Sequence, residues 1–316
     1  MFLRRRLAET VFGRLRPPFS HRLPDLQPRH RGDHLPGFRT GKENSKVYLS
    51  FLLVFLVSQR RPAPHTEIQA NGEAANGEAQ VTTAFITGAT SGIGRAMAIA
   101  LSDAGYDVYA VGRSQAALKA LQAERPGIVP IAVDVTDRET LEAVLADLTI
   151  DVLINNAGIM PPLGNFADMK ISDIDTTLEV NLSAAILLTR LVVPQMRERQ
   201  SGHILFTGSV AGHAAFSNIA VYAATKAAIS GFAAALRADL SPSGIRVTEI
   251  VAGRVETQLY QDILDAKARA AMYASKVVQP EDVAQMVVAV LALPAWADVT
   301  RFDIMPTWPT SPSGTK

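Results

Sequence analysis

Tyr222 and Lys226 stand four residues apart in "VYAATKAAIS" (221–230), a stretch otherwise made of small or apolar residues. On a helix, positions i and i+4 share one face, so a phenol and an ammonium become neighbours. A free phenol has a pKa of about 10, too high for a base at neutral pH. A nearby cation favours the phenolate, so the pair could exchange a proton at one oxygen. The spacing alone also describes an ordinary Tyr/Lys pair on any helix. Two further polar groups add weight. Ser209, after the strand-like "HILFTG", offers a hydroxyl to a developing oxyanion, with Thr207 as competitor. Asn181 lies in the apolar "EVNLSAAILL", where a buried amide must be hydrogen-bonded; a purely structural Asn is the alternative. His213, on the loop after Ser209, is expected to border a pocket without taking part in chemistry.

A second group of residues reads as a phosphate site. "TGATSGIG" (87–94) follows one β-branched run and opens a helical one. Gly88, Gly92 and Gly94, with Ala89, Thr90, Ser91 and Ile93 between them, would let the backbone approach a pyrophosphate at a helix N-terminus. The glycine spacing is wider than G-x-G-x-x-G, and tight packing alone could require it. After the second run, "VGRS" puts Gly112 where a carboxylate would bind the ribose hydroxyls of NAD. Arg113 and Ser114 follow, and a guanidinium can fork onto a 2′-phosphate; the pattern prefers NADP. The alternative is a solvated Arg113. "DVT" (134–136) could set Asp134 and Val135 against an adenine, or Asp134 could cap the helix expected over 137–147.

The elements that must position these residues are short apolar runs alternating with longer helical ones. The runs are "TTAFITGA", "YDVYAVGR", "IVPIAVDV", "IDVLINNAG", "GHILFTGS", "IRVTEIVAG" and "TRFDIMP". Their continuously apolar centres suit strands buried on both faces. Helices are expected over 92–104, 115–124, 137–147, 173–199, 221–240 and 280–292. Alternation of this kind implies an α/β fold, a doubly wound seven-stranded parallel sheet with helices on both faces, in one domain. Ligands bind such sheets beyond the carboxyl ends of the strands, where the polar residues above fall. Segment 256–276 is expected to be a mainly helical lid that excludes water. Arg254, just before it, could bind a substrate carboxylate or face solvent.

Composition bounds the rest. The 316 residues carry a net charge of only +1, so nothing global points to nucleic acid. The absence of cysteine excludes disulfides and thiolate chemistry and suits a reducing compartment, the cytoplasm. Residues 1–80 hold 13 of the 31 Lys+Arg and 7 of the 30 Asp+Glu, so a mildly acidic body follows a basic extension. The extension reads as disordered or dispensable, with a repeat "ANGEAANGEA" (70–79) as linker. Within it, 47–57 is too short to span a bilayer, which needs roughly 20 apolar residues. It could be an upstream extension without a folded role, a signal-peptide core or a weak membrane anchor; membrane association is not the favoured reading. The folded domain is expected over 81–310, with 311–316 a tail.

"TGATSGIG", "NNAG" (155–158), Ser209 and "YAATK" (222–226) together resemble the short-chain dehydrogenase/reductase family from about 82 to 306. "RVTEIVAGRVET" and "RFDIMPTWPTSPSG" are similar to the bacterial NADP-dependent 3-hydroxy acid (serine-type) dehydrogenases. The resemblance implies hydride transfer between NADP and a hydroxyl or carbonyl of a small molecule. Tyr222 would carry the proton, Lys226 would tune it and bind the nicotinamide ribose, Ser209 would hold the substrate oxygen, and Asn181 would support a proton-relaying water chain. Asn156, Ala157 and Gly158 would pack on the adenosine ribose, with Asn155 bracing the sheet. Val255 and Thr257 match positions that hold the carboxamide and a phosphate. Most relatives have Pro-Gly where Ala252-Gly253 stands, so a looser loop is expected. Helices 173–199 and 221–240 would join a homodimer or homotetramer. No metal is expected. A general ketone, aldehyde, steroid or 3-oxoacyl reductase is the next reading, and a non-catalytic dinucleotide-binding regulator the last.

Overall fold

The computed structural model describes residues 82–274 and 276–307. The expectations for the extension, for the 47–57 run, for the repeat at 70–79 and for the tail lie outside the described residues. Seven strands form one parallel sheet in the order β3-β2-β1-β4-β5-β6-β7. They are β1 (Thr83–Thr87), β2 (Asp107–Gly112), β3 (Ile128–Ala132), β4 (Val152–Asn155), β5 (Gly202–Thr207), β6 (Ile245–Ala252) and β7 (Arg301–Ile304). The order reverses between β1 and β4, and that switch point opens the crevice where such sheets bind ligands. Pro130 is tolerated in β3 because that strand is an edge, where a missing N–H costs least.

Period-two alternation distributes the strand side chains to two cores. Ala84 and Ile86 of β1 point to one face, Phe85 to the other. On the first face Met97 and Leu101 of α1 (Gly92–Asp103), Leu118 and Leu121 of α2 (Gln115–Glu124), and Val283 and Val287 of α8 (Pro280–Leu291) close the core. On the second, Leu141 of α3 (Arg138–Leu145), Leu188 and Val192 of α5 (Ala184–Arg199) and Ile229 of α6 (Ala220–Leu240) do so. Fully burying one such side chain stabilises by about 2 kcal/mol.

Two segments depart from the expectation. The helix expected over 173–199 runs as α4 (Ile171–Leu178), then a π turn over Glu179–Ser183, then α5. This continuous Ile171–Arg199 helix is long and apolar enough to cross a membrane by length and composition, yet its Leu188, Val192 and Met196 are buried in the second core. The expected lid helix over 256–276 is mostly absent: a 3-10 turn (Gln258–Tyr260), further turns and the short α7 (Ala266–Met272) take its place. Asp265 starts α7 by accepting the Ala268 N–H at 2.7 Å. The loop after β6 is not slack either. Gly253 donates its N–H to the Ile304 carbonyl at 2.9 Å, so pairing with β7 does what a proline would have done.

Candidate active site

The four polar residues singled out in the sequence converge at the carboxyl ends of β4 and β5. Lys226, buried on α6, donates from Nζ to the Thr207 carbonyl at the end of β5, at 2.7 Å. Its ammonium lies 5.7 Å from the centre of the Tyr222 ring. A Cβ on Gly158 would sit 3.7 Å from Nζ and 3.4 Å from Asn181 Oδ1, so the missing side chain keeps the way to the ammonium open. Asn181 sits in the π turn and clamps one residue from both sides: Oδ1 accepts the Ile159 N–H at 2.7 Å, and Nδ2 donates to the Ile159 carbonyl at 2.8 Å. The same Nδ2 lies 3.4 Å from Thr225 Oγ1, beside Lys226. A π turn inserts one extra residue per turn and turns a side chain that an α-helix would aim elsewhere. Here that side chain is Asn181. Ser209 opens a 3-10 turn by accepting the Ala211 N–H at 3.1 Å.

The electrostatics correct one expectation. Burial pushes the Tyr222 phenol up to about 12; the hydrogen bond with Ser209 pulls it down only in part, and the Tyr260 phenol raises it further. Lys226 is pushed down to about 8 by burial, with the charge of Glu249 acting against the fall. The expected lowering of the phenol by the ammonium is therefore not seen, because desolvation disfavours both charged forms. At neutral pH Tyr222 is a proton donor and Lys226 a cation.

The glycine turn is built as the sequence implied. Gly88 has φ +67°, in the left-handed region that favours glycine. A Cβ on Gly94 would strike the Gly88 carbonyl oxygen and the Asn156 amide. Ser91 caps α1 without a side-chain bond, and no acidic residue occupies the first turn. The first N–H groups of α1 can thus serve an anion, which fits a pyrophosphate over Gly88–Gly94. Behind the turn, Thr87 Oγ1 accepts the N–H of both Asn156 and Ala157 at 3.0 Å. Asn156 Nδ2 returns to the Thr87 carbonyl at 3.0 Å, and its Oδ1 accepts from Thr207 Oγ1 at 3.1 Å. The Asn156 side chain thus braces the turn against β5, which leaves the backbone of 156–158 as the part that could meet a ribose. Asn155 Nδ2 donates to Thr189 Oγ1 at 3.0 Å, so it ties β4 to α5 rather than strand to strand.

At the adenosine end, Arg113 is exposed and stands 3.9 Å from the Asp134 carboxylate. Ser114 caps α2 by accepting the Ala117 N–H at 3.2 Å. Asp134 does not cap the next helix. It accepts from Thr136 at 3.0 and 2.8 Å, while Asp137 caps α3 through Thr140. Val135 borders a cleft with Thr136, Arg138 and Leu187. Val255 is buried and bridges Val278, which ties the two ends of the 256–277 segment together. Thr257 packs on Gly92 of the glycine turn, where a Cβ would lie 3.1 Å from it.

The 256–277 segment closes over the phenol. Leu259, Tyr260 and Ile263 pack with Ile219 and Ala223 against Met160, Ala211 and Tyr222, giving a largely apolar wall beside the phenol. Arg254 is half-buried, bonds the Met272 carbonyl at 3.4 Å, and its charge acts on Tyr260. It is not a solvent-facing arginine. His213, on the loop after Ser209, is tied through its Nε2 to Glu249 on β6 at 2.9 Å. Met160, Tyr260, Thr87 and Glu249 escaped the sequence reading. Only Glu249 left a signal, as a charge inside the apolar run "IRVTEIVAG". Among the described residues no cluster of three or more His, Cys, Asp or Glu could hold a metal.

Comparisons with known proteins agree with this geometry. A family model described as short chain dehydrogenase matches residues 82–268. The chain is 45% identical over 226 residues to an uncharacterized short-chain type dehydrogenase/reductase, y4eK, of Sinorhizobium fredii, covering 71% of this chain and 91% of that one. It is 34% identical over 232 residues to the NADP-dependent 3-hydroxy acid dehydrogenase YdfG of Escherichia coli K12, covering 70% and 94%. Among solved structures, the closed form of a serine dehydrogenase complexed with NADP+ superposes with a TM-score of 0.70 at 32% identity, over 74% of this chain and 98% of that one.

Proposed function

The chain belongs to the short-chain dehydrogenase/reductase family, and from that premise we propose an NADP-dependent oxidoreductase that interconverts a small 3-hydroxy acid and its carbonyl form. The observation that carries the reading is the convergence of Tyr222, Lys226, Ser209 and Asn181 beside the glycine turn. NADP, when bound, supplies or accepts the hydride. Gly88–Gly94 and the open N-terminus of α1 suit its pyrophosphate, Gly158 leaves room beside Lys226 for its nicotinamide ribose, and Arg113, exposed and paired with Asp134 only at 3.9 Å, can turn to a 2′-phosphate.

This chain's residues then handle the proton. Tyr222 holds it on Oη, since burial keeps the phenol neutral, and gives it to the substrate oxygen during reduction. Ser209 donates to the same oxygen and stabilises charge as it develops. Lys226 presents a cation at the mouth of Gly158, and Asn181 and Thr225 offer polar groups through which the proton can be replaced. Met160, Leu259, Tyr260 and Ile263 exclude water from the reacting oxygen. Half-buried Arg254 is the cation for a substrate carboxylate. The 3-hydroxy acid reading draws on the 3-hydroxy acid and serine dehydrogenases among the relatives. Exposed Leu178 and Leu187 on the Ile171–Arg199 helix support assembly into a dimer or tetramer, and the cysteine-free sequence supports a cytoplasmic setting.

The test is NADPH formation with 3-hydroxybutyrate and serine against propan-2-ol, and NADPH consumption with acetoacetate. Carboxylates are expected to be preferred, and Tyr222→Phe is expected to lower kcat about 10³-fold. Turnover confined to neutral alcohols removes the 3-hydroxy acid assignment; full activity in Tyr222→Phe removes the proton donor.

A further inference from the structure

One carboxylate behind the reacting groups has no part in the chemistry above. Glu249 lies in the middle of β6 with its side chain 5% exposed. Its Oε2 accepts from Ser230 Oγ of α6 at 2.9 Å, and its Oε1 lies 2.9 Å from His213 Nε2. A Cβ on Gly208 would stand 2.6 Å from the same Oε1, so the backbone just before Ser209 rests against the carboxylate. Ser230 is one helical turn from Lys226, on the same side of α6. The helix that presents the ammonium to the site therefore also reaches Glu249.

We propose that Glu249, seated by Ser230 and His213, is a positioning residue for the reaction: its buried charge keeps Lys226 cationic, and its carboxylate seats the loop that carries Ser209. The proposal rests on the function inferred above.

A buried cation needs a counter-charge or it sheds its proton. Lys226 bonds a neutral carbonyl, and the groups nearest it, Tyr222, Asn181 and Thr225, are neutral as well. Glu249 is the carboxylate that acts on it, and in the direction that opposes desolvation. The cations facing Glu249 are otherwise engaged. From α6, Arg237 bonds the Val247 carbonyl at 2.9 Å and pairs with Asp298 at 3.5 Å. From β7, Arg301, in register with Glu249, pairs with Asp303 at 2.7 Å. From the Ser209 loop, His213 is the group in contact. Lys226 on α6 remains as the buried ammonium within the reach of this charge.

The experiment is the pH profile of kcat for NADPH-dependent reduction of the best carbonyl substrate, in the full chain and in Glu249→Gln. The alkaline limb, set near pH 8 by Lys226 in the parent, is expected to move about one unit to lower pH in Glu249→Gln. The loss is about fivefold at pH 8, approaches tenfold above it, and is less than about twofold at pH 6. A purely structural residue would lower the whole profile without moving the limb. Two exchanged pairs guard against a variant that does not fold: Glu249→Ser with Ser230→Glu returns the carboxylate from α6, and Glu249→Ser with Ser230→Gln does not. The first is expected to keep the parent limb and the second to lose it. A limb at the same pH with and without the carboxylate overturns the proposal. Failure of the parent to reduce any carbonyl overturns instead the function it rests on.

Discussion

The two walls of the site are built by different means. The wall at the ends of β1, β4 and β5 is fixed by short bonds between side chains and backbone: Thr87 to Asn156 and Ala157, Asn156 to Thr87 and Thr207, Asn181 to Ile159, and Lys226 to Thr207. The opposite wall, 254–277, is short helical turns fixed at its ends by the Val255–Val278 bridge, with side-chain bonds that stay within the segment, such as Arg269 to the Gln261 carbonyl at 2.8 Å and Tyr273 to the Thr257 carbonyl at 3.3 Å. The first wall holds the proton donor and its neighbours in one geometry. The second bears on the substrate through apolar packing and one arginine, and can open at small cost.

The sharpest way to break the contrast is to crowd the first wall. In Gly94→Ala the added methyl meets the Gly88 carbonyl and the Asn156 amide, and backbone cannot yield as a flexible side chain would. Alanine is otherwise preferred over glycine within a helix by about 1 kcal/mol, so the sign of the result is informative. A destabilisation of about 3 kcal/mol is expected, with loss of NADP affinity, read by thermal unfolding with and without the cofactor. A gain in stability would mean that the turn is slack and the first wall no firmer than the second.

A smaller effect is expected at Asn181. Asn181→Ala leaves the Ile159 N–H and carbonyl without their 2.7 and 2.8 Å partners, at a cost of about 2 kcal/mol. Asn181→Asp sharpens the reading. It keeps an acceptor for the N–H and sets a second acceptor against the carbonyl, so its defect should be confined to the carbonyl side. Denaturant midpoints compared with kcat distinguish a clamp from a catalytic group. If kcat falls in proportion to stability alone, Asn181 supports the wall and nothing more.

The same contrast explains what the sequence could disclose. Strand positions follow from apolar runs, and the α2 range from 115 to 124 was legible because its helix-forming run ends where Pro126 bars Arg125 from the helix, with Ser114 found as the cap at its start. Tyr222 and Lys226 were legible because four residues make one helical turn. Asn181 could be named from the pattern, but its π turn could not, because the partner of its side chain is the backbone of Ile159, 22 residues away. Glu249 and His213 meet only once β6 lies beside the loop after β5, so neither predicts the other along the chain. The 256–277 segment misled because its alanines and charged residues favour a helix, whereas the Val255–Val278 bridge sets its two ends side by side, which one straight helix of about 1.5 Å rise per residue cannot do.

The weakest of these effects belongs to the second wall and tests whether it selects substrate. Arg254 is half-buried, donates to the Met272 carbonyl at 3.4 Å and lowers the Tyr260 phenol from the raised value that burial gives it. A bond that long contributes little to the fold, so the guanidinium can turn to a ligand carboxylate at small cost. In Arg254→Gln the stability should change by less than about 0.5 kcal/mol. KM for 3-hydroxybutyrate should rise about tenfold with kcat nearly unchanged, the mark of binding shared by ground and transition states. Propan-2-ol, with no carboxylate, should be indifferent to the change. An equal rise for both substrates would mean that Arg254 holds the segment closed rather than reading the acid, and the second wall would then be a lid without selectivity of its own.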